Sequence, residues 1–150
     1  MKEQDLELAR NYFDDIEKQI SLLPKDQQGL VFKKCAANCV TKYVLPVLKS
    51  RCETCGGNLD LFFSEKENSE YSFQKVVEQG RVYEMGYPKC FCFMHSMGFA
   101  KSKTHCECSR QSIIFVMQEL FPDTDFTVET IGTILGGADK CTFRIIVNNR

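Results

Sequence analysis

Phe126-Thr-Val-Glu-Thr-Ile-Gly-Thr-Ile-Leu135, then Gly136-Gly137-Ala-Asp139, then Lys140-Cys-Thr-Phe-Arg-Ile-Ile-Val147 is the stretch that decides the fold. Two β-rich runs flank a short turn of glycine and aspartate, which is the composition of a β-hairpin. In the second run Cys141, Phe143, Ile145 and Val147 alternate with Thr142 and Arg144. That period of two turns Cys141 toward the core face. The Gly136-Gly137 pair joins two strands and does not lead into a helix, so hairpin geometry accounts for it better than a phosphate loop does.

Upstream of the hairpin the period changes. Leu6, Ala9, Phe13, Ile16, Ile20 and Leu23 recur at three- and four-residue steps, which predicts a helix over 5–23 that Pro24 stops. Its stripe is read as packing on its own domain, with the seam of a homodimer as the alternative. A second helix is expected from Asp26 to about Tyr43, with Val31, Phe32, Cys35, Ala36, Cys39 and Val40 on one face and Pro46 kinking or ending it. Leu59–Phe63 reads as a helical turn, 64–71 as a polar loop, and Ser72–Gln79 as a short helix closed by Gly80. Val82–Phe93 reads as extended, interrupted at Gly86 and Pro88, and 96–104 as a loop. Ser109 is the expected N-cap of a helix that carries Ile113, Met117 and Leu120 and ends at Pro122. Helices first, then strands with one inserted helix, predict an α+β domain: N-terminal helices packed on an antiparallel sheet that ends in the C-terminal hairpin.

A chain of 150 residues is long enough for one domain with a real core. Its net charge of −1 leaves no basic stripe, so no nucleic-acid partner is expected. No apolar run approaches the ~20 residues that a membrane helix needs, so no membrane partner is expected either. Met1-Lys2-Glu3-Gln4-Asp5 lacks the cationic start and apolar run of a secretory signal, and a cytosolic protein is expected. In a reducing compartment, cysteines are more often metal ligands, redox groups or core residues than disulfides.

Nine cysteines are present, and four fall between residues 90 and 108 as Cys90-Phe-Cys92 and Cys106-Glu-Cys108. In extended chain, residues two apart project to one side. Two such pairs facing each other would place four sulfurs around a tetrahedral zinc ion, and an iron–sulfur cluster is the less favoured occupant of the same four thiolates. Cys90, Cys92, Cys106 and Cys108 are therefore the candidate metal ligands. Two other readings stand beside this one: buried apolar thiols, and a redox or nucleophilic site in which the amides at the helix start lower the pKa of Cys106 or Cys108. Cys35 and Cys39, four apart on a helix, read first as core. Cys52-Glu-Thr-Cys55 before Gly56-Gly57 is half of a zinc knuckle or a surface turn with incidental thiols. His95 and His105, the two histidines of the chain, flank a loop; exposure is the plainer reading, and proton transfer or metal ligation the functional one.

Three stretches carry a resemblance. Lys34-Cys35-Ala-Ala-Asn-Cys39, Tyr87-Pro-Lys-Cys90-Phe-Cys92, and the tail from Cys106-Glu-Cys108-Ser109 through Ile145 resemble a family of small bacterial proteins grouped with the L-2-amino-thiazoline-4-carboxylic acid hydrolase-like domains. The tail is also similar, more distantly, to 4-vinyl reductase-type small-molecule-binding domains. The second resemblance implies an α+β domain that binds an apolar or aromatic effector and, in some members, zinc, with Cys106 or Cys108 and Cys141 as ligand candidates. The first implies a hydrolase of a C–N or C–S bond in a small heterocycle. In that case the nucleophile would be a zinc-bound water or a thiolate at Cys106 or Cys108, with His95 or His105 carrying the proton. The primary expectation is a cytosolic, cysteine-rich domain that binds a metal, a small molecule or both.

Overall fold

A computed structural model describes residues 2–149. Six helices run as α1 (Glu3–Ile20), α2 (Lys25–Thr41), α3 (Val44–Thr54), α4 (Leu59–Phe62), α5 (Phe93–Ser96) and α6 (Glu107–Leu120). Four strands, β1 (Phe73–Glu78), β2 (Val82–Tyr87), β3 (Phe126–Gly132) and β4 (Cys141–Val147), form one antiparallel sheet in the order β1-β2-β4-β3. This is the expected α+β class, and its last two strands are the expected hairpin. Val128 pairs with Ile145 and Phe126 with Val147 across it. The alternation read in the sequence is kept along β4, where Cys141, Phe143, Ile145 and Val147 are all buried.

The core lies between that face of the sheet and α6. Ile113 and Met117 from α6 meet Phe143 and Ile145 from β4, and Phe63 stacks on Tyr83 with ring centroids 4.7 Å apart. The Tyr83 hydroxyl donates to Asp60 Oδ1 at 2.7 Å, so the polar end of this buried ring is satisfied. The start of α6 is tied to the sheet by Arg110, whose guanidinium donates to the Glu107 carboxylate and to the Val128 carbonyl, the latter at 2.9 Å. On its other side α6 carries α2. A Cβ at Gly29 would lie 2.7 Å from Gln111 Nε2, so the absence of a side chain lets the two helices approach.

Four expectations change. Residues 73–78 are the edge strand β1 and not a helix. Val76 and Val77 are β-branched, and the segment has β2 alongside to pair with, which outweighs a weak helical pattern. Pro46 neither kinks nor ends a helix. The break comes at Lys42 and Tyr43, and Pro46 sits in the first turn of α3, where its missing N–H is not needed. Helix α6 begins at Glu107, with Cys106 rather than Ser109 at its cap. Finally, the α1 stripe is only partly covered: Leu6, Phe13 and Ile20 are half-buried, Ala9 and Ile16 are exposed, and the buried residue of the helix is Glu17. Among the described residues no helix is long and apolar enough to cross a membrane.

Strand β2 runs through Gly86 without interruption, between β1 and β4. A Cβ there would sit 1.8 Å from the Cys141 carbonyl oxygen and 2.7 Å from the Phe73 ring. The first of these is backbone and cannot swing away. Gly86→Ala is therefore expected to cost about 3 kcal/mol, the upper end of the usual range for overpacking. Urea denaturation checks this as a lower midpoint at unchanged slope.

Candidate functional site

The segment 88–92 leaves the end of β2 without regular structure and leads into α5; after a loop, a 3-10 turn (Lys103–Cys106) starts α6. Between these segments, α2 and the start of β4 lies a cavity of about 210 Å³. It is larger than the ~150 Å³ that holds one benzene ring. Cys39, Cys90, Cys92, Cys106, Cys108 and Cys141 all reach its wall, and Val40, Val44, Phe93 and Leu135 make most of the rest apolar. A second cavity of about 90 Å³ adjoins it, sharing Val40, Val44, Tyr87 and Ser112, and reaches inward to Phe62 and Met117.

His105 lies in the wall of the larger cavity and is 7% exposed. Its Nδ1 is 3.1 Å from Glu17 Oε2 on α1. The rings of Phe13 and Phe32 stand 5.9 and 5.6 Å from its centroid, so the imidazole plane is held from both helices. Burial by itself lowers the pKa of His105, but Cys92 and Glu17 outweigh it and raise the group to about 9. Glu17 is fully buried, and its second oxygen, Oε1, has no hydrogen-bond partner among the described residues. His95 is unlike this: it is exposed, and its Nδ1 lies 3.1 Å from the Ala100 carbonyl.

The six thiols of the cavity are not equivalent. Burial pushes Cys106 up to about 11 and Cys108 up to about 12, and it raises Cys39 and Cys90 as well. Burial also raises Cys92, but the hydrogen bond from His105, the backbone N–H groups of His95 and Met94, and the imidazolium charge reverse it, and the net shift is downward. Cys92 is thus the thiol poised to ionise, while Cys39, Cys90, Cys106 and Cys108 are shifted toward the neutral form.

The chain matches no family model and no curated protein. Among solved structures it is similar to the crystal structure of a trafficking protein particle complex subunit 3 from Naegleria fowleri covalently bound to palmitic acid. The identity is 9% and the TM-score 0.43, over 99% of this chain and 98% of that one. A likeness of that size carries no inference about this chain. Neither it nor the other comparisons bear on the hydrolase-like or 4-vinyl reductase-type resemblance.

The expected zinc-binding character is not supported by the geometry. Cys90, Cys92, Cys106 and Cys108 do come to one cavity, but among the described residues no group of three or more His, Cys, Asp or Glu side chains is placed to hold a metal ion. Cys106 and Cys108 belong to a 3-10 turn and a helix start rather than to extended chain, so the same-side projection of residues two apart in a strand does not apply to them. All nine cysteines are free. Cys52 and Cys55 close α3 and pack against the core, away from the cavity, and Cys35 is exposed on α2. The lowered thiol pKa expected at Cys106 or Cys108 falls instead at Cys92, and burial raises the other two. Sequence reasoning missed Glu17, because an acidic residue in a helix rich in acids carries no mark of burial.

Two titrations of opposite sign meet at this site. His105, raised above its ordinary 6.5, contributes stability that is complete below about pH 6.5 and lost as pH rises through about 9. Cys92, lowered from 9.0, contributes stability that is present above about pH 9 and lost as pH falls through its folded value. The two slopes offset each other in the native chain. Cys92→Ala leaves only the His105 slope, now supported by Glu17 alone. Its stability relative to the native chain is expected to fall by about 1–2 kcal/mol between pH 6.5 and 9. A second change, Glu17→Gln, should flatten that fall, as read from urea midpoints across pH.

Proposed function

We propose that this chain is a cytosolic small-molecule-binding domain whose ligand occupies the thiol-walled cavity between α2, the 88–93 segment and the start of α6. The observation that carries the reading is the cavity itself: a mainly apolar space of about 210 Å³ with a few polar groups in its wall, Cys92 and His105 among them. Ligand sites in general are apolar concavities with a few placed polar groups. Of the lining residues only Lys89 and His105 carry basic side chains and none is acidic, so the ligand is small, mostly apolar and neutral or weakly anionic. Nine free thiols suit a reducing compartment, which supports the cytosol.

Methyl NMR titration with small neutral aromatic probes such as indole and phenol tests the reading. Saturable shifts at Val40, Val44 and Leu135, accompanied by thermal stabilisation, are expected. Val44→Phe, which places a ring across the cavity from a partly exposed position on α3, should weaken binding at least tenfold, an order-of-magnitude effect of about 1.4 kcal/mol. Shifts confined to other surfaces, or none at millimolar probe, would sink it.

A further inference from the structure

A ligand pocket needs no buried charge pair behind its wall, yet here an imidazole and a thiol of the wall are backed by the Glu17 carboxylate, which holds the ring from outside the cavity. We propose that Cys92, His105 and Glu17 act as nucleophile, proton carrier and positioning carboxylate in the hydrolysis of a small neutral acyl compound held in the cavity. The proposal rests on the small-molecule reading above and names the ligand class and chemistry of the same site.

Glu17 is the first observation. The other acidic residues of α1, Glu3, Asp5, Glu7, Asp14 and Asp15, are exposed or half-buried, while Glu17 is sealed against the turn that carries His105. A buried ion pair is often no more stable than an apolar pair of the same volume, so this one has no evident packing purpose. What it does is orient a ring. With Nδ1–H donating to Glu17 Oε2, the nitrogen left to exchange a proton with the cavity is Nε2. Phe13 and Phe32 fix the plane of that ring. The nucleophile–base–orienter series is the arrangement by which a weak nucleophile is activated.

The second observation is selectivity among thiols. The groups facing Cys92 are Cys39 on α2, Cys90 on its own segment, Cys106 and Cys108 at the start of α6, and His105; Lys89 lines the same wall. Burial raises the four neighbouring thiols, so Cys92 is the one of these five thiols whose ionised form is favoured, with His105 and Lys89 as the cations of the wall. Cys92 is half-buried and therefore open to a bound molecule.

The reaction follows from these groups. The Cys92 thiolate attacks the carbonyl carbon; the S–C bond forms and the bond from carbon to the leaving oxygen, sulfur or nitrogen breaks. The imidazolium gives its Nε2 proton to that leaving group. Water then attacks the acyl-thioester carbon while neutral His105 takes a proton from it. The C–S bond breaks, the carboxylic acid departs, and the thiolate–imidazolium pair is restored. No oxidant, metal or cofactor enters the balance.

The test uses the full-length reduced protein and p-nitrophenyl acetate. One burst of p-nitrophenolate per chain is expected, followed by slower turnover, with the acetyl group mapped to Cys92 by peptide mass spectrometry. The burst rate should rise through an inflection below that of an ordinary cysteine. Cys92→Ala should lower turnover by on the order of 100-fold, the scale of positioned nucleophile and base effects. Glu17→Gln should keep acetylation at Cys92 but move the inflection up toward an ordinary thiol, which a merely structural role would not do. Acetyl groups spread evenly over several cysteines, an ordinary inflection, or an acetyl-enzyme that never turns over would each overturn the proposal. Where Cys92→Ala does not fold, the pH profile of iodoacetamide alkylation at Cys92 in the native chain decides on the same inflection. Acetophenone, which keeps the carbonyl and lacks a leaving group, separates the two readings by NMR. Acetophenone bound in the cavity of a protein that p-nitrophenyl acetate does not acylate overturns the hydrolase and leaves the binding domain. Neither binding nor acylation overturns both.

Discussion

His105 Nδ1 and Glu17 Oε2 meet at 3.1 Å across 88 residues of chain, and the site depends on that contact. Helix α1 has little else to bury; its apolar stripe is half open, and it is joined to the rest of the fold mainly at the loop over 97–106. Arg10 donates to the Met97 carbonyl at 2.8 Å, Phe13 meets Phe99 edge-on, and Glu17 takes His105. Three contacts spaced three and four residues apart on one helix face thus clasp the loop that launches α6. A charged pair at the deepest of them is stronger for being shielded from water, and costly if either partner is lost.

The cavity beside this contact is a consequence of small side chains. Cys90, Cys92, Cys106, Cys108 and Cys141 stand at positions where larger residues would fill the space between α2, α6 and the head of β4. The close approach of β2 to β4 at Gly86 and of α2 to α6 at Gly29 sets how near those walls can come. The resulting low polarity acts in two directions. It disfavours thiolates throughout, which is why Cys106 and Cys108 rise to about 11 and 12. It also strengthens the attraction between an imidazolium and the one thiolate it faces, so Cys92 moves the other way. One environment therefore creates both the neutral wall and the reactive group.

Much of the fold was legible along the chain. The α1 stripe ending before Pro24, the alternation of Cys141, Phe143, Ile145 and Val147, and the helix closed by Pro122 are local patterns, and each became the expected element. Residues 73–78 failed because Phe73, Val76 and Val77 suit either period, and pairing with β2 settles the choice. The candidate cysteines were legible as a group and not as a geometry. Cys90, Cys92, Cys106 and Cys108 do share a cavity, but the extended conformation assumed for the second pair is a 3-10 turn and helix start, and among the described residues no group of three or more is placed to hold a metal ion.

Residue type and spacing by themselves determined the α+β class, the C-terminal hairpin, the burial of Cys141 and the concentration of thiols between 90 and 108. These follow from periodicity and composition, which are properties of neighbouring residues. Which thiol is ionisable, and which acid orients which histidine, only the tertiary structure decided. A pKa depends on desolvation and on charges within a few ångströms, and Glu17 and Cys92 reach His105 from positions 88 residues before it in one case and across a loop in the other.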